Sequence, residues 1–561
     1  MRQILKLISF TLFASSAFTQ SFEWVNTAGS TGADATELLC SDSLNNIYSY
    51  GYFSDSLSFS NSNQLLRSRG IDIFINKTDS NGNLIFTMVI SGKAGEYPQA
   101  IKYDEAGFIY ILGSLSDSVY VIKDSINQVF YNNSSYQGYN SAFLTKMDLN
   151  GNIIWSQFFE SVFGLNARDL VIDDLTNIAV VGSYQDTIEF GQIDSFNLQS
   201  NNQSGFIAIF DSSGTLSNTV SLDGSYGINI NKIEFANGSY TLTGEFRVNV
   251  DADPSANTFN IQGKGGYDIF FCQYNRDLSI RWGKPLTSSQ KIIVYSLNQK
   301  NDFYYLSGVF SDTSYFDPSN SSSYLISKGQ WDSFISKYDK NGNLIWVKQF
   351  GDSLSEYSYS MDLSTFNDIY ITGLYHGLLD FDPDTTSYLI NSNNNSRDFY
   401  ISKFDSNGVF RWARSIGGSS LDYSYDVLVL NNSLYLSGSF SNSVDFDFDT
   451  NQVVRNSFGD TDAYLLKLSL ANITSLTEKN KRKTNNLNIF PNPSTDFIQI
   501  KGDLQNLESI EIYDINGKLT IQMSQLHMPT INISKLDNGL YVLRSIKKNG
   551  STQNIKFIKT D

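Results

Sequence analysis

The sequence predicts an all-β protein, and three observations carry that prediction. The 561 residues include 33 Tyr, 40 Phe and 39 Gly but only 8 Pro, a composition that favours pleated strands over helices. An alternating apolar strand closing on Gly recurs seven times. A hairpin pattern follows it at a fixed phase in each repeat.

The strand copies are IYSYG ending at Gly51, IYILG at Gly113, IAVVG at Gly182, YTLTG at Gly244, YYLSG at Gly308, IYITG at Gly373 and LYLSG at Gly438. They stand 62, 69, 62, 64, 65 and 65 residues apart, the period of a repeated supersecondary unit. The hairpin is clearest in DIFINKTDSNGNLIF, SAFLTKMDLNGNIIW, DSFISKYDKNGNLIW and DFYISKFDSNGVFRW. Asn-Gly at 81–82, 150–151, 341–342 and 407–408 predicts a tight turn in which Gly takes positive φ and Asn tolerates it. Ser213-Gly214 and Arg276-Asp277 replace it in repeats three and four. Alternation of Phe, Ile and Lys predicts one buried and one wet face for each hairpin strand.

Strands of the Phe-Ile-x-Lys kind begin near Phe74, Phe143, Phe206, Ile269, Phe334, Phe399 and Ala463. Strands opening at an aromatic or equivalent position begin near Trp24, Phe86, Trp155, Asn218, Trp282, Trp346 and Trp412. Six hairpins join one of each kind, leaving over the strands at 23–26 and 463–467. An open array would expose both as bare edges. A closed ring pairs them, which predicts a seven-bladed β-propeller over 20–472, closed by its N- and C-terminal strands.

Arg2 and Lys6 precede an apolar run at 7–14 and small residues at Ala17 and Thr19. This predicts a signal peptide over 1–19, cut ahead of Gln20. No later stretch reaches the roughly 18 apolar residues of a membrane span. Cys40 and Cys272 lie in repeats one and four, too far apart for a disulfide, whose Cα atoms approach within about 7 Å. Two separate buried thiols are expected. Residues 473–486 are polar, basic and aperiodic, a linker. Alternation resumes over 487–561 in LNIF, FIQI, SIEIYD, KLTIQM, TINI, LYVLRS and QNIKFI, predicting a small immunoglobulin-like β-sandwich.

Two resemblances add to this reading. The repeats, with Phe316-Asp317-Pro318, Asp380-Phe381-Asp382-Pro383 and Asp445-Phe446-Asp447, resemble the β-propeller repeats of secreted Bacteroidetes proteins. Repeats one to three lack the Asp-Phe-Asp-Pro element. The segment 487–561 is similar to the type A C-terminal sorting domain of the type IX secretion system. The motif residues are Pro491, Asn492 and Pro493, then the 512–518 run, then Gly539 and Tyr541, and Lys556 in the closing strand. That resemblance implies passage through the outer membrane by the type IX machinery and removal by its surface peptidase, leaving the product secreted or on the outer cell surface.

The formal net charge is −17, and residues 20–472 hold 26 Lys and Arg against 49 Asp and Glu. Nucleic acid and anionic membranes want the opposite sign. Asp380, Asp382 and Asp384 alternate in repeat six, as Asp445, Asp447 and Asp449 do in repeat seven. The first three are the candidate Ca²⁺ ligands, since such loops supply oxygens. The EF-hand's closing Glu and central Gly are absent, and no other cofactor is indicated. His376 and His527 are the only histidines, so multi-histidine metal catalysis is excluded and a Ser-His-Asp triad would rest on His376 alone in the mature chain. No residue is assigned a catalytic role. The sequence is read as a non-enzymatic binding or adhesion protein with an extracellular glycan or protein ligand. A propeller hydrolase or lyase acting on extracellular polysaccharide is the alternative.

Overall fold

The computed structural model describes residues 18–60, 65–92, 95–115, 119–123, 126–131, 141–161, 163–190, 198–317, 320, 323–384, 387–448, 451–472, 488–490, 494–501, 507–514, 518–524, 530–548 and 552–560. The chain divides into two compact units, Met1–Ile473 and Thr474–Asp561. Both are built of strands, with no α-helix among the described residues.

Repeat five shows the plan of the first unit. Lys291–Lys300, Phe303–Ser311, Asp332–Asp339 and Leu344–Phe350 pair in that order as an antiparallel meander. The other repeats follow the same order, opening on Ala35–Ser41, Tyr97–Tyr103, Leu165–Ile172, Ile228–Ala236, Tyr357–Leu363 and Tyr423–Leu430. Each opening strand lies beside those of the preceding and following repeats, and the seventh lies beside the first.

The last meander takes its outer strand from the other end of the chain. Phe18–Gly29 pairs antiparallel with Asp462–Asn472, from Phe18 opposite Asn472 to Ala28 opposite Ala463. These are the two strands that sequence counting left without partners.

The core is a series of layers between neighbouring meanders. Ile269, Phe271 and Leu286 of repeat four pack with Ile292, Leu306 and Phe334 of repeat five. Phe399 and Trp412 of repeat six pack with Leu436, Phe446 and Tyr464 of repeat seven. The third strands therefore have no wet face: Asp332–Asp339 is buried at seven consecutive residues, Lys337 included. This corrects the expected alternation, because a meander between two others is covered on both sides.

Lys and Trp hold the ring together. The Lys77 ammonium donates to Leu149 O at 2.9 Å, Lys337 to Ser406 O at 2.9 Å and Lys467 to Ser80 O at 2.9 Å. Each acceptor lies in the hairpin turn of the next repeat. Trp155 Nε1 donates to Ser212 O at 3.1 Å and Trp282 Nε1 to Lys340 O at 3.2 Å, again one repeat ahead. The indole of Trp282 also lies flat enough against Gly342 that an added Cβ would sit 2.8 Å from it.

The turn itself differs from the expected one. Gly82, Gly151, Gly342 and Gly408 have positive φ, whereas the Asn before each does not. Asp339 explains this: its Oδ1 accepts from Asn341 N and Asn343 N, both at 2.9 Å, while Gly342 N donates to Asp339 O. The carboxylate fixes a type I turn followed by a glycine bulge, a three-residue hairpin loop. In repeat four Leu278 takes the glycine's place at φ +66°.

In the second unit, Asn488–Phe490, Phe497–Lys501 and Thr530–Asn532 form one sheet, and Leu519–Ser524, Leu507–Asp514, Gly539–Lys547 and Thr552–Lys559 the other. Ile498, Ile500, Ile512, Ile531, Leu543 and Phe557 make a common core.

Candidate binding channel

Seven β-bulges build the site. Each opening strand pairs with the next strand until one extra residue interrupts the register. The interrupting residues are Glu37, Gln99, Arg168, Asn231, Tyr295, Tyr359 and Tyr425. The repeat glycine sits opposite the residue just before the bulge every time, as in Ser358 opposite Gly373. In six of the seven repeats an opening-strand carbonyl crowds that glycine; at Gly113 the Phe143 ring and the Tyr50 hydroxyl do so. A Cβ on Gly373 would lie 1.8 Å from Tyr357 O, and one on Gly438 would lie 1.8 Å from Tyr423 O. The glycine is thus the space that lets the opposite strand bulge, and all seven bulge residues line one cavity of about 660 Å³.

The cavity wall is chemically lopsided. Tyr295, Tyr359 and Tyr425 follow one another around it, with ring centroids 5.4 and 5.9 Å apart. Tyr357 stacks on Tyr359 at 5.6 Å and Tyr423 on Tyr425 at 5.5 Å. The next bulge residue is Glu37. Gln99, Arg168 and Asn231 complete the circuit.

Six carboxylates and three basic side chains line the cavity. Asp426 accepts from Leu39 N at 2.8 Å and from Ser360 Oγ at 2.6 Å. Asp169 accepts from Ile233 N at 3.1 Å, and Asp362 from Val429 N at 2.6 Å. These four contacts join opening strands of different repeats, so they are structural. Glu245 meets Lys291 at 3.3 Å and the Asn231 amide at 3.1 Å. Glu234 faces Lys102 at 3.9 Å. Glu37 has no hydrogen-bond or ion-pair partner among the described residues. Burial alone pushes its carboxyl up to about 7. Burial also pushes Glu234 up to about 7 against the pull of Lys102, and the Tyr295 phenol up to about 12.

Sequence reasoning named none of the channel residues. They stand thirteen or fourteen positions upstream of each repeat glycine, from Glu37 before Gly51 to Tyr425 before Gly438. That offset was the available signal.

Asp380, Asp382 and Asp384 lie elsewhere, after the short strand Leu378–Asp380. Asp380 Oδ1 accepts from Asp382 N at 3.2 Å and Tyr388 N at 2.8 Å; Asp382 Oδ1 accepts from Asp384 N at 3.0 Å; Asp384 pairs with Lys348 at 2.5 Å. Asp445 repeats the pattern with Asp447 N and Val453 N. The described residues contain no group of three His, Cys, Asp or Glu side chains placed to hold a metal. Asp380, Asp382 and Asp445 accept their own loop's amides. His376 Nε2 lies 2.8 Å from Asn395 O. Cys40 and Cys272 are buried and unpaired.

In the second unit Tyr541 stacks on Phe557 with centroids 5.7 Å apart and donates its hydroxyl to Asp537 O at 2.9 Å. Gly539 pairs with Lys559, and Val542 with Lys556, between the last two strands. Pro491, Asn492, Pro493 and His527 lie outside the described residues. Residues 488–560 match the family of the secretion-system C-terminal sorting domain. The C-terminal unit is that sorting domain. It assigns the protein to type IX export, to the cell surface or the medium, with the type IX machinery as a partner. No helix among the described residues is long and apolar enough to cross a membrane.

No curated protein matches the chain. Among solved structures, the chain is similar to quinohemoprotein alcohol dehydrogenase ADHIIG from Pseudomonas putida HK5, at 10% identity and TM-score 0.33, over 85% of this chain and 79% of that one. It is similar to the extracellular domain assigned to a hybrid two-component system from B. thetaiotaomicron, at 11% identity and TM-score 0.17, over 97% and 100%. Dimeric latent PorU from Porphyromonas gingivalis aligns at 11% identity and TM-score 0.11, over 75% and 31%. The fold described above rests on the strand pairing.

Proposed function

We propose that residues 20–472 are a seven-bladed β-propeller acting outside the cell as a non-enzymatic binding or adhesion module. The sorting domain, an immunoglobulin-like sandwich, delivers it and is then removed by the surface peptidase. One observation carries the binding reading: seven equivalent bulges aim seven side chains of differing chemistry into one cavity. A repeat kept only for stability has no need to vary that position, whereas a recognition site does. Most of the channel's polar groups are held by ion pairs, by backbone amides or by one another, as the Ser360 hydroxyl is by Asp426. Capture assays on the extracellular form, against glycan arrays and against proteins from the same environment, test the reading. A saturable ligand lost on substitution of bulge residues is expected. Equal capture by the native chain and by a variant with several bulge residues changed to Ala would overturn it.

A second reading is favoured by Glu37 and Glu234, both raised to about 7 by burial. A carboxylic acid that keeps its proton near neutrality can act as a general acid on a glycosidic oxygen. Reducing-sugar release from extracellular polysaccharides that is lost in Glu37→Gln and Glu234→Gln would establish hydrolysis. The binding reading expects no release.

A further inference from the structure

We propose that the Tyr295–Tyr359–Tyr425 arc and Glu37 bind an organic cation, an alkylammonium or quaternary ammonium group. This rests on the reading of the channel as a binding site and names the chemistry of its ligand.

Two independent features meet at one point of the ring. The first is aromatic. Three consecutive bulges present tyrosines that line the cavity with centroids 5.4 and 5.9 Å apart, and Tyr357 and Tyr423 stack on Tyr359 and Tyr425. Aromatic faces attract cations within about 6 Å through the ring quadrupole. The second is the carboxylate. Every other acid on the cavity wall has a partner: backbone amides for Asp169, Asp362 and Asp426, Lys291 for Glu245 and Lys102 for Glu234. Glu37, the bulge residue after Tyr425, has none among the described residues, although Tyr52 and Tyr425 feel its charge. An enclosed, unpaired carboxylate is costly unless a counter-charge arrives. A cation arriving there gains both the carboxylate and the rings, and supplies the missing partner.

The opposite wall argues against an anion. Arg168 is the one guanidinium at a bulge, and Glu245 lies beside it. The six carboxylates outnumber Lys102, Arg168 and Lys232. A neutral saccharide would use the rings and donate hydroxyl hydrogen bonds to Glu37, but would leave its charge uncompensated.

Titration calorimetry with the full chain tests this, using tetramethylammonium chloride and n-butylammonium chloride as probes and NaCl as the control. The two probes separate a quaternary headgroup from a lysine-like amine. At least one is expected to bind, about tenfold or more tighter than to Glu37→Gln and Tyr359→Leu. Tyr359→Phe, which keeps the ring, is expected to bind within about twofold of the native chain. Unchanged thermal unfolding of the variants would show that the loss is local. Binding by neither probe overturns the cation assignment, as does binding that survives both Glu37→Gln and Tyr359→Leu. A neutral glycan captured by the native chain and by Glu37→Gln alike would overturn it too, yet leave the channel a binding site.

Discussion

Gly373 is the clearest single-residue device in the repeat. An added Cβ would lie 1.8 Å from Tyr357 O, a clash with backbone that no rotamer relieves. Gly373→Ala is expected to cost about 3 kcal/mol, the upper end for overpacking. Gly238→Ala, at φ +74° with open space around it, is expected to cost about 1 kcal/mol for the backbone conformation alone. Urea unfolding of both variants checks the contrast, and equal losses would contradict the account of the bulges. Buried acids at the repeat junctions set a pH dependence. Asp34 accepts from Ser30 N and Ser54 N, and Asp422 from Gly418 N and Ser441 N. Burial pushes Asp34 and Asp422 up to about 7 and Glu356 up to about 8, with Asp462, Asp398 and Asp352 nearby adding to it. The folded chain therefore holds more protons than the unfolded chain between about pH 4 and pH 8. Stability is greatest at the acid end of that window and falls as pH rises through the folded values. The Tm is expected to be higher at about pH 5 than at about pH 8.5, with a weaker dependence in Glu356→Gln. A Tm that rises with pH across this window would contradict the assignment.

At the scale of elements, the ring depends on a strand borrowed from the N-terminal end. Removing residues 20–29, downstream of the expected signal cleavage, strips Asp462–Asn472 of eight paired residues, so the deletion is expected to lower the Tm of the whole first unit; an unchanged melting curve would rule out this closure. The turn contacts are testable by a double-mutant cycle. Gly342→Ala meets both the positive φ and the Trp282 indole, and is expected to cost about 2 kcal/mol. In a Trp282→Leu background the cost is expected to fall to about 1 kcal/mol, since only the backbone term remains. Full additivity would show that the indole and the turn are uncoupled. Much of this was legible in the sequence. The Gly period, the Asn-Gly turns and the two leftover strands gave the repeat count and the closing pair, because each rests on a residue with one physical use. The turn type was misread because the Asp at its first position fixes the geometry more strongly than the Asn-Gly pair. The third strands were misread because their second face is covered by another repeat, which local alternation does not record. The bulge residues stayed hidden for the opposite reason to the glycines: Glu37, Gln99, Arg168, Asn231 and Tyr359 share a position and nothing else, so comparing repeats averages them away.

At the scale of the molecule, the two units carry the two proposed tasks, delivery and binding. The sorting domain was legible because its motifs occur in order over a short span, and its core of Ile500, Ile512, Leu543 and Phe557 is self-contained. Truncating 556–561 removes half of the strand Thr552–Lys559 that pairs with Gly539–Lys547. The truncated protein is expected to stay in the periplasm, as fractionation of a host with this secretion system would show; undisturbed export would mean that the closing strand is dispensable for sorting. The channel lies wholly in the first unit, so its ligand binding should not depend on the sorting domain's presence. The central claim is that the sorting domain is a removable address and the first unit is the working part. The most direct test is the intact mass of the protein recovered outside the cell. The account predicts a chain ending within about 473–490, where the polar, basic and aperiodic sequence suits a peptidase. An extracellular chain that still ends at Asp561 would contradict it and make the second unit a retained module.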